Sequence, residues 1–166
     1  MTIHEPSVGH YLEDFKSGDI YKHWPGRTIS ESDNTWFTLL TMNTHPIHFD
    51  HNYAAGQMFG KPLVNSTLTL AIVAGMSVRD TSQNAVANLG WESIRMPHPV
   101  FVGDTLYAES EILEMRESKS RPDTGVVSFE TRAYNQDNAL VMSYRRTILA
   151  KRRGYDNGKL PKFGTD

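Results

Sequence analysis

The most constraining feature of the sequence is the stretch from Asn43 to Thr69, because it joins a dense polar loop to an apolar helix. One asparagine, two histidines and one aspartate fall within its first eight residues: Asn43, His45, His48 and Asp50. The run from Leu68 to Met76 is apolar on every face of a helix, so other structure must surround that helix. Its N-terminus would present unpaired N–H groups beside Asn65 and Ser66, where they could stabilise a developing negative charge.

Composition and charge exclude several classes of protein. A length of 166 residues predicts one domain, and a formal net charge of −2 with no long block of like charge argues against nucleic acid as the main partner. The absence of cysteine excludes disulfides and thiolate chemistry, and it is compatible with the cytoplasmic location that we expect. No apolar run reaches the roughly 18 residues of a membrane span, so we expect no membrane partner.

The first third of the chain predicts a strand and two short helices before the apolar one. Bulky β-formers around Pro25-Gly26 predict a strand from Gly18 to Ile29 with a kink or turn. Ser30 can cap a short helix, with Asp33 as its acidic partner. The apolar residues of this helix, at helical spacing, are Trp36, Phe37 and Leu40. Asp50 can cap a second helix from His51 to Met58.

The remaining pattern predicts an α+β domain. The long helix starts after Asn65 or Ser66 and runs to about Val78, followed by a polar exit over residues 79–84. Alternating residues then predict four strands with hairpin-type connections, near residues 86–96, 105–116, 127–133 and 140–150. One antiparallel sheet around a single apolar helix satisfies this pattern. We expect an arm at residues 1–17, the domain at 18–153 and a tail at 154–166.

Three motifs together resemble a known family. HPIHFD, the Lys-Pro-Leu-Val step into the long helix and HPVFVGDTL are similar to motifs of the MaoC-like (R)-specific enoyl-CoA hydratases. The resemblance covers roughly residues 18–153, and HPIHFD with LVNSTLTL is most similar to the branch of mesaconyl-CoA hydratase (β-methylmalyl-CoA dehydratase) and itaconyl-CoA hydratase. It implies a single hot-dog fold that adds or removes water across the double bond of an enoyl-CoA. It implies no cofactor and no metal.

The resemblance also assigns roles to residues of the loop and of the helix start. His48 falls on the family's catalytic histidine, whereas Asn43 stands where the family has its catalytic aspartate and His45 replaces an asparagine. Asn65-Ser66 replaces a His-Gly pair whose glycine N–H helps to bind the thioester oxygen, so that role passes to the Ser66 N–H. We therefore expect His48 to transfer the proton and Asn43 to hold the attacking water.

Several of these residues have simpler interpretations. Asn43 is equally typical of a helix end, and His45, a candidate for binding a substrate carboxylate with Asn65 and Arg95, could instead fix the backbone before Pro46. Arg95 is more simply interpreted as an outward strand residue that pairs with Glu92 or faces solvent. The basic run at residues 151–153 could attract a CoA phosphate or be solvated. A metal site at the polar loop is not expected, because no further ligand cluster completes the set.

Two other functions remain open at this stage. An acyl-CoA thioesterase shares the hot-dog fold and the helix N-terminus, and a non-catalytic acyl-CoA-binding subunit is consistent with the asparagine at position 43. In each case a lone hot-dog unit leaves sheet edges open. We therefore expect a homodimer or higher homo-oligomer with sheets joined edge to edge and acyl-CoA sites at the interface.

Overall fold

The computed structural model describes residues 9–156, so the predicted arm and tail fall partly outside the described residues. It contains five strands: β1 Ile20–Thr28, β2 Ala85–Arg95, β3 Thr105–Glu117, β4 Thr124–Tyr134 and β5 Leu140–Lys151. It contains three α-helices: α1 Glu31–Leu40, α2 His51–Ala55 and α3 Ser66–Ser77. None of the helices in this described range combines the length and the hydropathy that a membrane crossing requires.

The five strands form one antiparallel sheet in the order β1-β3-β4-β5-β2. The prediction of hairpin-type connections is correct for β3-β4 and β4-β5 and wrong for β2-β3, because β2 pairs with β5 at the opposite side of the sheet from β1. Pro97 and Pro99 lie in the β2-β3 connection and favour an extended chain over a tight turn. The alternation of the sequence identifies each strand but not its neighbour.

The side of the sheet that faces α3 carries the predicted alternating residues of β3, which are buried: Leu106, Ala108, Ser110 and Ile112. One apolar cluster on this side surrounds α3, and a second surrounds Leu12 and Phe15 from the segment before β1. Ion pairs hold that segment to the end of β5, since Arg152 contacts Glu13 and Arg153 contacts Asp14. Two cations of the basic run are thus paired with acids of this chain.

The helix α3 lies against the sheet but is not enclosed by it. Its buried residues are Leu68, Thr69, Val73 and Ser77, whereas Ala71 and Gly75 are exposed on the other side. The predicted polar exit is a short π-helix, Val78–Ser82, closed by a hydrogen bond of 2.7 Å from the Gln83 N–H to the Val78 carbonyl. A largely apolar helix with one open face leaves apolar surface for further structure to cover.

The early elements agree with the prediction in position and differ in detail. In β1 the register shifts between His23 and Arg27, which is the kink expected at Pro25. The helix α2 ends at Ala55 rather than at Met58, and Gly56 is its C-cap.

In α1 the buried residues are the polar Asn34 and Thr38, one turn apart, while Trp36 and Leu40 are 70% and 76% exposed. The apolar spacing therefore locates this helix but not its buried face.

Candidate active site

The polar loop begins where α1 ends. Met42 takes the left-handed position after the helix, with φ of 57°, and the Asn43 N–H donates to the Thr38 carbonyl at 3.0 Å. The Asn43 side chain then folds over the loop, and its Oδ1 accepts the His45 N–H at 3.0 Å. Asn43 thus closes the helix from the position after Met42, and one side of its amide is already used to shape the loop.

His45 and Asp50 both cap short helices. The His45 Nδ1 accepts the Ile47 N–H at 3.2 Å at the start of a 3-10 helix, Pro46–His48, and Asp50 Oδ1 accepts the Tyr53 N–H at 2.9 Å at the start of α2. The His45 ring also meets the His48 ring edge to face, with centroids 5.9 Å apart. The conformational interpretation of His45 and the capping interpretation of Asp50 are therefore both satisfied.

Among residues 9–156, one ring nitrogen of His48 has a hydrogen-bond partner and the other has none. Its Nδ1 lies 2.8 Å from the Leu63 carbonyl oxygen. A carbonyl can only accept, so Nδ1 must carry a proton, and in the neutral ring Nε2 keeps a free lone pair. The half-buried His48 lines a cavity of about 220 Å³ together with Asn34, Thr35 and Lys61. The hydrogen bond to Leu63 selects the tautomer that a general base needs.

The N-terminus of α3 is built as predicted. Asn65 is the N-cap, and its Oδ1 accepts the Thr67 N–H at 3.0 Å and the Thr67 hydroxyl at 2.7 Å. Ser66 is the first helical residue and is exposed, and the N–H groups of a first turn have no partner within the helix. Ser66 lines a cavity of about 290 Å³ with Leu63, Thr69 and other residues. A helix N-terminus of this kind can accept a negatively charged oxygen.

His48 and Ser66 line different cavities with no lining residue in common: Pro62 lines the His48 cavity, and Leu63, the next residue, lines the Ser66 cavity. The Leu63 carbonyl accepts the hydrogen bond from the ring of His48, which lines the other cavity. The segment that leads into α3 is fixed by backbone pairing, since the Leu63 N–H donates to the Ile47 carbonyl at 3.1 Å and the Val64 N–H donates to the Val100 carbonyl at 2.9 Å. The structure therefore brings the loop and the helix start to one place, with a cavity on each side.

Asn34 is a residue of this region that the sequence did not single out. It is 1% exposed and its side-chain amide donates to the His48 carbonyl at 2.7 Å and to the Leu63 carbonyl at 3.2 Å. Its Oδ1 accepts the Asn65 N–H at 2.9 Å. The available signal was a pair of polar residues one turn apart in a helix, Asn34 and Thr38, which is the pattern of a polar buried face.

The other predicted binding residues lie as follows. Asn65 is buried, and its side chain is hydrogen-bonded to Thr67 and to Thr38 Oγ1. Arg95 is exposed at the end of β2 and lines neither of the two cavities described above. Within residues 9–156 no group of three or more histidine, cysteine, aspartate or glutamate side chains is arranged to hold a metal ion.

The start of α1 is held by a capping box beside this region. The Asp33 N–H donates to Ser30 Oγ at 3.1 Å, and the Ser30 N–H donates to Asp33 Oδ2 at 2.8 Å. The bond from the Ser30 N–H holds the pKa of Asp33 below its ordinary value, and Arg27, 2.8 Å away, acts in the same direction. This box fixes the start of the helix that carries Asn34.

The sequence is similar to a defined family and to several named proteins. The family model described as mesaconyl-CoA hydratase matches residues 3–159. A mesaconyl-CoA hydratase of Cereibacter sphaeroides is 33% identical over 147 residues, which make up 89% of this chain and 43% of that protein. An (R)-specific enoyl-CoA hydratase of Aeromonas caviae is 30% identical over 107 residues, which make up 64% of this chain and 75% of that protein.

The fold is also similar to solved structures. A Mycobacterium tuberculosis protein described as having a double hot-dog fold superimposes with a TM-score of 0.82 at 23% identity, over 95% of this chain and 48% of that one. This likeness and the single antiparallel sheet packed against α3 confirm the predicted hot-dog fold. The chain spans about two fifths of the length of the mesaconyl-CoA hydratases that it matches.

Proposed function

The chain belongs to the mesaconyl-CoA hydratase family, and from that membership we propose that it hydrates the α,β double bond of an enoyl-CoA thioester. In the reverse direction it dehydrates the corresponding 3-hydroxyacyl-CoA. The observation that carries the proposal is the hydrogen bond from His48 Nδ1 to the Leu63 carbonyl, which leaves Nε2 free beside a cavity. A hydratase needs such a nitrogen, because water must lose a proton as it attacks.

His48 carries the proton in both halves of the reaction. Its Nε2 takes a proton from water as the water oxygen bonds to the β-carbon, and the electrons of the double bond move onto the thioester oxygen as an enolate. The same nitrogen then returns the proton to the α-carbon, so one molecule of water is added and no other reactant is consumed. Dehydration follows the same steps in reverse.

Ser66 and Asn43 assist the reaction at two points, the enolate oxygen and the attacking water. The Ser66 N–H, at the positive end of α3, stabilises the enolate oxygen. The Asn43 amide nitrogen holds the attacking water, while its oxygen keeps the bond to the His45 N–H that shapes the loop. In this proposal the reacting carbons lie beside His48, in the cavity that it lines, and the thioester oxygen lies beside the Ser66 N–H.

The substrate class that we propose is a short branched dicarboxylic acyl-CoA. Mesaconyl-CoA/β-methylmalyl-CoA is the first pair to test because the matching family and the Cereibacter sphaeroides relative carry that name. Itaconyl-CoA/citramalyl-CoA is the second. His45, Asn65 and Arg95 are the residues proposed to contact the substrate. His45 can donate from Nε2, since its Nδ1 accepts the Ile47 N–H, and Arg95 supplies positive charge for the distal carboxylate.

The test is mass spectrometry of a panel of acyl-CoAs incubated with the protein. The expected result is a gain of about 18 mass units, one water, for an enoyl-CoA and the matching loss for the 3-hydroxyacyl-CoA, with the thioester intact. Release of free CoA thiol instead would identify a thioesterase. Binding of acyl-CoA with no mass change over the whole panel would identify a non-catalytic binding subunit and refute hydration.

We also propose that two copies associate through β2. This strand is an edge of the sheet and exposes Leu89, Trp91 and Ile94. Edge-to-edge pairing of two such strands would satisfy their free backbone groups. Analytical ultracentrifugation is expected to show a dimer at micromolar concentration, and a monomer alone would contradict the proposal.

A further inference from the structure

We infer that Asn34 is a positioning residue that sets the orientation of the His48 ring relative to the N-terminus of α3. This inference rests on the proposed hydration for its kinetic readout. Asn34 lies in α1, at a distance along the chain from both of the groups that it connects. Asn34 lines the His48 cavity, and in this role it acts through the backbone of three other residues.

All the hydrogen-bonding groups of the Asn34 side chain are used. One amide hydrogen goes to the His48 carbonyl at 2.7 Å, and the other goes to the Leu63 carbonyl at 3.2 Å. The oxygen accepts the Asn65 N–H at 2.9 Å. A side chain that is 1% exposed can keep three such bonds only in one orientation, so the three backbone groups are held at fixed mutual distances.

The Leu63 carbonyl is the point through which this cluster reaches the imidazole. It accepts both the Asn34 amide and the His48 Nδ1, at 3.2 Å and 2.8 Å. Asn34 therefore holds His48 in two ways. It donates directly to the His48 carbonyl, and it donates to the Leu63 carbonyl that accepts the His48 ring N–H. A tilt of that carbonyl would redirect Nε2 by a comparable amount, and the Asn65 bond would no longer tie the ring to the start of α3.

Asparagine is suited to this position because it does not titrate. A carboxylate of the same size would keep the bond to the Asn65 N–H but would face two carbonyl oxygens with no hydrogen to donate. A hydrophobic side chain would leave the His48 carbonyl and the Asn65 N–H without this partner, and the Leu63 carbonyl would keep only the His48 ring. The amide is the smallest side chain that offers two donors and one acceptor in this arrangement.

The test compares Asn34→Asp with Thr38→Val in the full chain. Thr38 lies one turn away on the same buried face, and its Oγ1 accepts the Asn65 amide at 3.2 Å, so Thr38→Val removes a buried hydrogen bond of the same cluster without touching His48 or Leu63. For Asn34→Asp we expect kcat for hydration to fall by roughly 100-fold, as for a displacement of about 1 Å, with KM nearly unchanged. For Thr38→Val we expect kcat within about threefold of wild type.

A second readout does not depend on turnover. The ¹⁵N and ¹H signals of the His48 ring are expected to move in Asn34→Asp and to stay in place in Thr38→Val. Equal kcat in the two variants, or an unmoved His48 signal in Asn34→Asp, would overturn the inference. If wild-type protein hydrates no acyl-CoA, the proposed function fails, and the ring signals alone decide on Asn34. Should Asn34→Asp not fold, Asn34→Ser replaces it with the same readouts and the same two overturning results.

Discussion

A hydrogen-bonded histidine lies near each end of α3, His23 in β1 and His48 in the polar loop, and the two differ in whether a ring nitrogen remains without a partner in the described part of the chain. At the C-terminal end, His23 Nδ1 lies 2.8 Å from Asp80 Oδ2 and Nε2 lies 2.8 Å from Ser110 Oγ. Both ring nitrogens are therefore used. At the N-terminal end, His48 has one nitrogen on the Leu63 carbonyl and the other free beside a cavity.

The difference shows that residue types alone do not make a site. Asp80, His23 and Ser110 are the residue types of a hydrolytic triad and are connected in the same order. The His23 side chain is 0% exposed, Ser110 is fully buried, and the Ser110 hydroxyl also lies 2.8 Å from Thr131 Oγ1. A substrate cannot reach this hydroxyl. The network joins β1, β3 and β4 to the π-helix after α3, so its role is to stabilise the fold.

The largest effect is expected at His48. Asparagine in its place can still donate to the Leu63 carbonyl but offers no basic nitrogen, so His48→Asn should lower kcat for hydration by about 10² to 10⁴-fold. The free energy of unfolding should change little. Steady-state rates check the expected change in kcat, and urea unfolding of the same sample checks the free energy of unfolding. Turnover equal to wild type would show that His48 Nε2 takes no part in the reaction.

The next effect is expected at Ser66, whose backbone N–H can be removed by substitution. Proline is tolerated at the first position of a helix, and the N-cap Asn65 already has ψ of 124°, which suits a residue before proline. Ser66→Pro should therefore keep the fold and lower kcat by roughly 10² to 10³-fold, the cost of one oxyanion donor. Ser66→Ala, which keeps the N–H, is the control. Equal rates for the two variants would remove Ser66 from the mechanism.

Near the C-terminal end of α3, replacing His23 by asparagine should lower the stability of the fold and leave the hydration rate nearly unchanged. His23→Asn would leave Asp80 and Ser110 without their ring partner in a buried setting and should destabilise the fold by about 3 kcal/mol. The folded fraction should keep nearly all of its hydration rate. A loss of kcat with an unchanged melting temperature would mean that this end of α3 also takes part in the reaction.

The smallest effect is expected in the capping box at the start of α1. The folded-state pKa of Asp33 is lowered, so its stabilisation is present above the unfolded pKa and is lost as pH falls through the folded pKa. Asp33→Asn should therefore cost about 1 kcal/mol near neutral pH, and the difference from wild type should shrink below about pH 4. Urea unfolding at the two pH values checks this, and a difference independent of pH would count against the ionised cap.

Local features of the fold could be predicted from the sequence because they depend on neighbours along the chain. Asn65 precedes an apolar run, so it caps α3, and Asp50 caps α2 for a similar reason. The alternation in β3 marks its buried side correctly. The pairing of β2 with β5 could not be predicted, because periodicity says which face of a strand is buried and not which strand lies beside it.

The candidate site was predictable in part for the same reason. His48 and Ser66 lie in motifs that resemble a family, and each is placed next to a cavity. Asn34 was not identified, because its partners are 14 and 29 residues away in sequence for its two donated bonds. The apolar residues of α1, such as Trp36, predict the wrong buried face for this helix. Trp36 is exposed, and the polar face with Asn34 packs against the rest of the protein.

The central claim is that His48 keeps a free Nε2 while His23 keeps neither nitrogen free, and the most direct measurement is the proton position on the His48 ring. Two-dimensional ¹⁵N–¹H correlation of the ring, at a pH where it is neutral, distinguishes the two tautomers. The account predicts a protonated Nδ1 and a bare Nε2 for His48. A proton on Nε2 would mean that this nitrogen cannot accept the proton of water, and it would contradict the account.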